Sequence, residues 1–182
     1  VLSYYASHPQ SYYRTGVANP DFPGVARFFR QLAVPDALHI HFTGAGANVG
    51  AGKYNDGSHQ NRLILAERLA DGMKRAWEST KCEPVTTGSV RWDFESVALP
   101  EAEHLAELEK RLKENPSTAM NSSIAMKLAW TERSRTGMKV DVSCLSIGSV
   151  KILHLPGELF VEYQLAAKSQ RKDLFVTMFA YG

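Results

Sequence analysis

"KVDVSCLSIGSVKILHLPGELFVEYQLAAKSQ", residues 139–170, contains three elements in one run. Apolar and polar residues alternate on either side of Gly148-Ser149, and a period-two pattern broken by a turn pair predicts a β-hairpin over 139–155. Pro156 and Gly157 then stop the second strand. Helical spacing follows, with Leu159, Tyr163 and Ala166 as the expected inner stripe. A further apolar strand, "LFVTMFAYG" (174–182), closes the chain. The hairpin requires antiparallel pairing, while the strand–helix–strand order places a helix on the sheet. The expected class is therefore α/β, a mixed sheet with helices packed on it.

Upstream, "VLSYYA" (1–6) and "ALHIHF" (37–42) read as strands flanking a short amphipathic helix, "VARFFRQLA" (25–33), which ends before Pro35. In "HQNRLILAERLADGMKRAWEST" (59–80), Leu63, Ala66, Leu69, Ala70, Met73 and Trp77 recur at helical spacing, with Glu67 and Arg68 on the solvated face. "TGSVRWDFESVAL" (87–99) alternates as a strand. Leu105, Leu108 and Leu112 mark the next helix, and a less regular one is expected over 117–133. No repeat, low-complexity segment or linker divides the chain, so residues 1–182 read as a single domain.

Of the 182 residues 44% are hydrophobic and 22% charged, the balance of an ordinary globular protein. A net charge of +2 gives no argument for nucleic acid or an anionic membrane surface. No apolar run approaches the ~20 residues of a membrane-spanning helix. Cys82 and Cys144 have neither metal-ligand nor redox spacing and read as idle thiols.

Three places carry candidate chemistry. The first is the glycine-rich stretch "TGAGANVGAGKYNDGS" (43–58), which lies between a strand and a helix, the order used for phosphate binding. Its spacing fails: Val49 stands where a dinucleotide fingerprint needs its third glycine, and Tyr54 follows Lys53 where a phosphate loop needs Ser or Thr. A substrate-facing loop or a structural turn fits better. The second is the His39/His41 pair, which alternation puts on one face of a strand. Two histidines close no metal site, and hydrogen-bonded or half-exposed strand histidines are the simpler reading. His104 reads as solvated and His154 as packed. The third is Glu158, where a strand turns into a helix whose positive end favours an ionised carboxylate. Loops leaving the carboxyl ends of α/β strands gather at one edge, so His8, the 44–58 loop and Glu158 are expected to meet there.

These segments resemble the neutral, non-lysosomal ceramidases of bacteria. "SYYASHPQSYY" (3–13) is similar to the family's "HPTS" segment, which follows a strand and supplies a histidine to catalytic zinc. "ANVGAGKYN" (47–55) resembles the "NVGDVSPN" loop that carries the nucleophilic serine. "SIGSVKILHLPGELFVEYQLAAK" (146–168) is similar to the "RVG...VPGEF" hairpin and helix, whose glutamate also binds zinc. The resemblance implies His8 and Glu158 as Zn2+ ligands and Asn48, Gly50 and Asn55 as retained residues of the substrate loop. Lys53 stands where the family has its serine and Ala51 where it has aspartate. The family's other two ligands, a histidine in an "HTH"-type segment and a tyrosine, are expected before Val1 and after the final "AYG". On that reading the chain is part of a catalytic domain and holds zinc weakly or not at all.

The implied activity is zinc-dependent hydrolysis of ceramide or another N-acyl amide, in a secreted or periplasmic protein of sphingolipid metabolism. Without the serine, either metal-activated water attacks or Lys53 takes part, as nucleophile or by neutralising an oxyanion. The alternative is a catalytically inactive ligand-binding domain on the same scaffold. A nucleotide-dependent enzyme using the glycine loop is a weaker third.

Overall fold

The structure, a computed structural model, describes residues 1–13, 15–114 and 119–181. It is α/β, as the pattern predicts, with β1 (Leu2–Tyr5), α1 (Asp21–Ala33), β2 (Ile40–Thr43), α2 (His59–Ser79) and β3 (Val90–Val97) in the first half. Then follow α3 (Leu105–Glu114), α4 (Ala119–Arg135), β4 (Val140–Ile147), β5 (Val150–His154), α5 (Val161–Gln170) and β6 (Phe175–Phe179). β1 and β2 form a parallel pair, and the other strands form a mixed sheet in the order β3-β4-β5-β6. The chain forms two compact units, residues 1–93 with 143–182, and residues 94–142.

The first unit carries the architecture that matters for function. The hairpin turns where expected, with Ile147 paired to Val150 and Gly148 at φ 55°, a left-handed conformation that glycine adopts without a Cβ clash. β5 continues through α5 to the parallel β6, just as β1 continues through α1 to β2. The Ala180 N–H donates to Thr43 C=O at 3.1 Å, tying the end of β6 to the end of β2. The carboxyl ends of β1, β2, β5 and β6 therefore share one edge. Rings bridge the same strands in series. Tyr4 stacks on Phe42, Phe42 meets Phe179 edge-on, Phe179 meets His154, and His154 stacks on Trp92 at 4.9 Å. His154 is thus a packing residue, and burial lowers its pKa.

Phe22, Ala26, Ala45, Ala66, Ile152, Val176 and Met178 are among the buried apolar residues of this unit. α1 packs on α2, and buried Ala26 and Ala66 present no bulk to hold the helices apart. On α2 the expected stripe is buried at Ala66 and Ala70, while Leu63 and Trp77 at its ends are exposed. α1 starts four residues earlier than its pattern suggests, because Pro23 sits in the first turn, where no intrahelical N–H bond is lost. α5 starts later, at Val161, and turns a different face inward: Tyr163 and Ala166 are exposed, whereas Val161, Gln164 and Ala167 are half-buried. At its start the Val161 N–H donates to Asn48 Oδ1 at 2.9 Å.

In the second unit α3 packs on α4, with Leu105, Leu108 and Leu112 half-buried and Ile124 and Thr131 buried. The Thr131 hydroxyl accepts from Ala102 N–H, and the Trp130 indole donates to Pro100 C=O at 3.0 Å. Of the helix expected over 117–133, residues 117 and 118 lie outside those described. Among the described residues no helix is long and apolar enough to cross a membrane.

Candidate metal centre

Four loops leave the shared strand edge, and each is held by identifiable bonds. After β1 the chain turns through buried Ser7 to His8. The following turn is anchored by Asp21, whose carboxylate accepts from Ser11 N–H (3.2 Å), Ser11 Oγ (2.5 Å), Tyr12 N–H (2.8 Å) and its own neighbour Phe22 N–H (2.7 Å). Arg62 of α2 adds an Nε–H bond to Ser11 C=O at 2.6 Å and lies 4.1 Å over the Tyr12 ring. Neither support was legible as a site residue. Both act by fixing the histidine-bearing turn.

After β5, Gly157 takes φ 79° to complete the Pro-Gly corner, and Glu158 follows. The two loops converge: His8 Nε2 lies 2.8 Å from Glu158 Oε1, with the side chains 21% and 47% exposed. That exposure leaves the pair open to solvent and to a ligand. A partly exposed polar contact of this kind contributes only about 0–1 kcal/mol, too little to hold two loops in place. The geometry must come from the scaffold around it.

Much of that scaffold is the glycine-rich segment after β2. Gly44 N–H donates to Tyr5 C=O, and Val49 C=O accepts from His8 N–H at 3.0 Å. On the other side Ala47 N–H donates to Leu159 C=O at 2.9 Å. The Asn48 side chain accepts from Val161 N–H (2.9 Å) and donates to Glu162 (2.8 Å). Gly46 is required here by space: a Cβ would lie 2.8 Å from Ser7 N and 3.0 Å from Ala6 C. Three of the loop's N–H groups (44, 47 and 49) already donate to backbone carbonyls and so are committed to structure. This argues against a phosphate cradle.

Beyond position 49 the loop leaves this network. Gly50, Lys53 and Asn55 are exposed. Asn55 N–H closes a short turn onto Gly52 C=O, and the Lys53 ammonium lies 5.2 Å from the Tyr54 ring centroid. The structure thus joins His8, Asn48 and Glu158 in one bonded network; the interactions of Lys53 and Asn55 are local.

Tyr181, at the end of β6, completes the arrangement, and sequence reading overlooked it. Its N–H donates to Gly157 C=O at 3.0 Å. Burial, then interaction with the Glu158 carboxylate and its charge, push the phenol pKa up. The signal that points to it is topological: β6 runs parallel to β5, so the residue just past its end reaches the same edge as the residue just past β5.

His39 and His41 lie elsewhere. His41 is within 3.3 Å of Ser3 Oγ, and His39 is buried with its Nε2 unpaired among the described residues. Burial is the main cause lowering both pKa values; nearby positive charge adds to it. No group of three or more His, Cys, Asp or Glu is arranged to hold a metal among the described residues. Zinc accepts imidazole nitrogen and carboxylate oxygen. His8 and Glu158 thus supply donors of the right kind, with the Tyr181 oxygen beside them, but fewer than a closed site needs.

A mixed α/β fold with a histidine–carboxylate pair at the carboxyl edge of its parallel strands is the class these features define. The fold is ceramidase-like. The chain superposes on the crystal structure of neutral ceramidase from Pseudomonas aeruginosa with a TM-score of 0.64 at 14% identity, over 99% of this chain and 36% of that one. A structure described as ceramidase complexed with C2 gives a TM-score of 0.64 at 12% identity, over 99% and 38%. The chain therefore spans less than two-fifths of either structure. No protein-family model and no curated protein matches it.

Proposed function

We propose that this chain forms part of the catalytic domain of a secreted or periplasmic zinc-dependent amide hydrolase acting on ceramide or another N-acyl amide. The observation that carries the reading is the 2.8 Å approach of His8 Nε2 to Glu158 Oε1 at the strand edge of a ceramidase-like fold. With zinc bound, His8 would give its Nε2 lone pair to the metal in place of the contact with Glu158, Glu158 would supply an oxygen and negative charge, and Tyr181 lies beside that carboxylate. Zinc held there would polarise the amide carbonyl and lower the pKa of its water to about 7. Backbone bonds from Ala47 and Val49 hold the two donor-bearing loops, and the pair stays partly exposed. Lys53 is exposed with its ammonium 5.2 Å from the Tyr54 ring centroid, and the role assigned to it is neutralising an oxyanion or an acidic group of the substrate.

Hydrolysis of a fluorogenic N-acyl amide by the intact parent protein, with added zinc, tests this. Turnover retained in Lys53→Ala and lost in His8→Ala is the expected result. Equal turnover in both variants and the parent overturns it. A second reading, a binding domain on the same scaffold, is favoured by the lysine standing in place of the family's serine. Saturable binding of a non-hydrolysable N-acyl amide with no turnover and no zinc dependence would establish that reading instead.

A further inference from the structure

We propose that Asn48 is a positioning residue: it sets the Glu158 carboxylate against His8 by capping α5 from across the chain. The inference rests on the site reading above but needs no metal. α5 begins without a side-chain cap of its own, since Phe160 occupies the N-cap position. The first N–H groups of a helix have no intrahelical acceptor, and an Asn, Asp, Ser or Thr at that end ordinarily supplies one. Here the acceptor is Asn48 Oδ1, 113 residues away in sequence, at 2.9 Å from Val161 N. The other half of the amide donates to Glu162 Oε2 at 2.8 Å, and the charge on that acceptor strengthens the bond. Ala47 N–H adds the 2.9 Å bond to Leu159 C=O one residue past the carboxylate.

The same short segment holds the imidazole, through Val49 C=O and His8 N–H. Residues 47–49 therefore grip both sides of the pair, and the pair itself is too weakly bound to keep its separation unaided. Of the two grips that residues 47–49 place on the glutamate side, Ala47 works through its backbone and Asn48 through its side chain, so Asn48 is the one a substitution can remove and rebuild. Both bonds need an amide: one acceptor for Val161 and one donor for Glu162. Aspartate keeps the first and loses the second, placing two carboxylates together. Reversing the polarity, Asn48→Asp with Glu162→Gln, remakes both bonds.

The test is the cross-peak between the His8 imidazole and the Glu158 methylenes in proton NMR of the metal-free protein, with β5–β6 cross-strand peaks as the folding control. The peak should fall severalfold in Asn48→Ala and Asn48→Asp, and return to the parent intensity in the reversed pair. Full intensity in folded Asn48→Ala overturns the proposal. So does loss that the reversed pair fails to restore. Should Asn48→Ala not fold, Asn48→Asp and the reversed pair decide alone. Zinc affinity, read by chelator competition in the same variants, is expected to follow the peak with about a tenfold loss, the scale of a lost helix cap with a charge-assisted bond. Weak or absent zinc affinity in the parent is what an incomplete donor set allows, and the NMR comparison then decides the proposal alone.

Discussion

Gly46→Ala is the sharpest test of the bracket that holds the site. A Cβ there would sit 2.8 Å from Ser7 N, 3.0 Å from Ala6 C and 3.2 Å from Ser7 Cα, all backbone atoms that cannot swing aside. The tightest contact is about 0.7 Å short of the ~3.5 Å at which non-bonded atoms attract. Relief requires the β2 loop to move off the β1 exit, stretching the His8 N–H bond to Val49 C=O. Overpacking of this kind costs about 1–3 kcal/mol. For a chain of this length that lowers Tm by roughly 2–4 °C per kcal/mol. Gly50→Ala, four residues on, is the matched control: its Cβ would meet nothing within 4 Å. Urea denaturation by circular dichroism and hydrogen exchange at the His8 amide read the two effects, global and local. The expected outcome is a lowered midpoint and lost His8 protection in Gly46→Ala, with neither in Gly50→Ala. Equal behaviour of the two variants would refute the reasoning.

Other outcomes follow from the same structure. Asp21→Asn removes a carboxylate that accepts four hydrogen bonds and should cost about 1.5–3 kcal/mol, seen as a lower urea midpoint with faster exchange at Ser11 and Tyr12. His39, His41 and His154 have folded pKa values below the ordinary 6.5, burial being the main cause. The unfolded chain then takes up protons first, so stability is full above pH 6.5 and declines as pH falls toward the folded values. Tm measured from pH 7.5 downward should drop below pH 6.5, and replacing His41 by Gln should flatten that slope. Asp173, held at about 2 chiefly by its hydrogen bonds to Arg171, contributes stability that is kept above pH 3.8 and lost as pH falls toward 2; Asp173→Asn should remove that acid-range component of the unfolding curve.

The fold was legible because its signals are local. Alternation around Gly148-Ser149, the Pro-Gly corner and the alanine-rich stripe of α2 each declare an element within a few residues. The meeting of His8 with Glu158 was legible for a different reason: both follow strands, and parallel strands deliver their loops to one edge. What escaped was long-range. Nothing around Asn48 in sequence announces that it caps a helix 113 residues away. The inward face of α5, with Val161, Gln164 and Ala167 half-buried, differs from the Leu159, Tyr163 and Ala166 stripe. Tyr181 was passed over because its partner, Glu158, is met only once β6 lies beside β5.

Whether the imidazole and the carboxylate share a cation is measured most directly by titrating the protein with paramagnetic Co2+, a zinc surrogate that reports even weak binding, and following side-chain resonances. The account predicts that His8, Glu158 and Tyr181 signals broaden first and together, and that His8→Ala abolishes the effect at the other two. Broadening that begins at His39, His41 or His59, or that leaves His8 and Glu158 sharp at saturating Co2+, would contradict it.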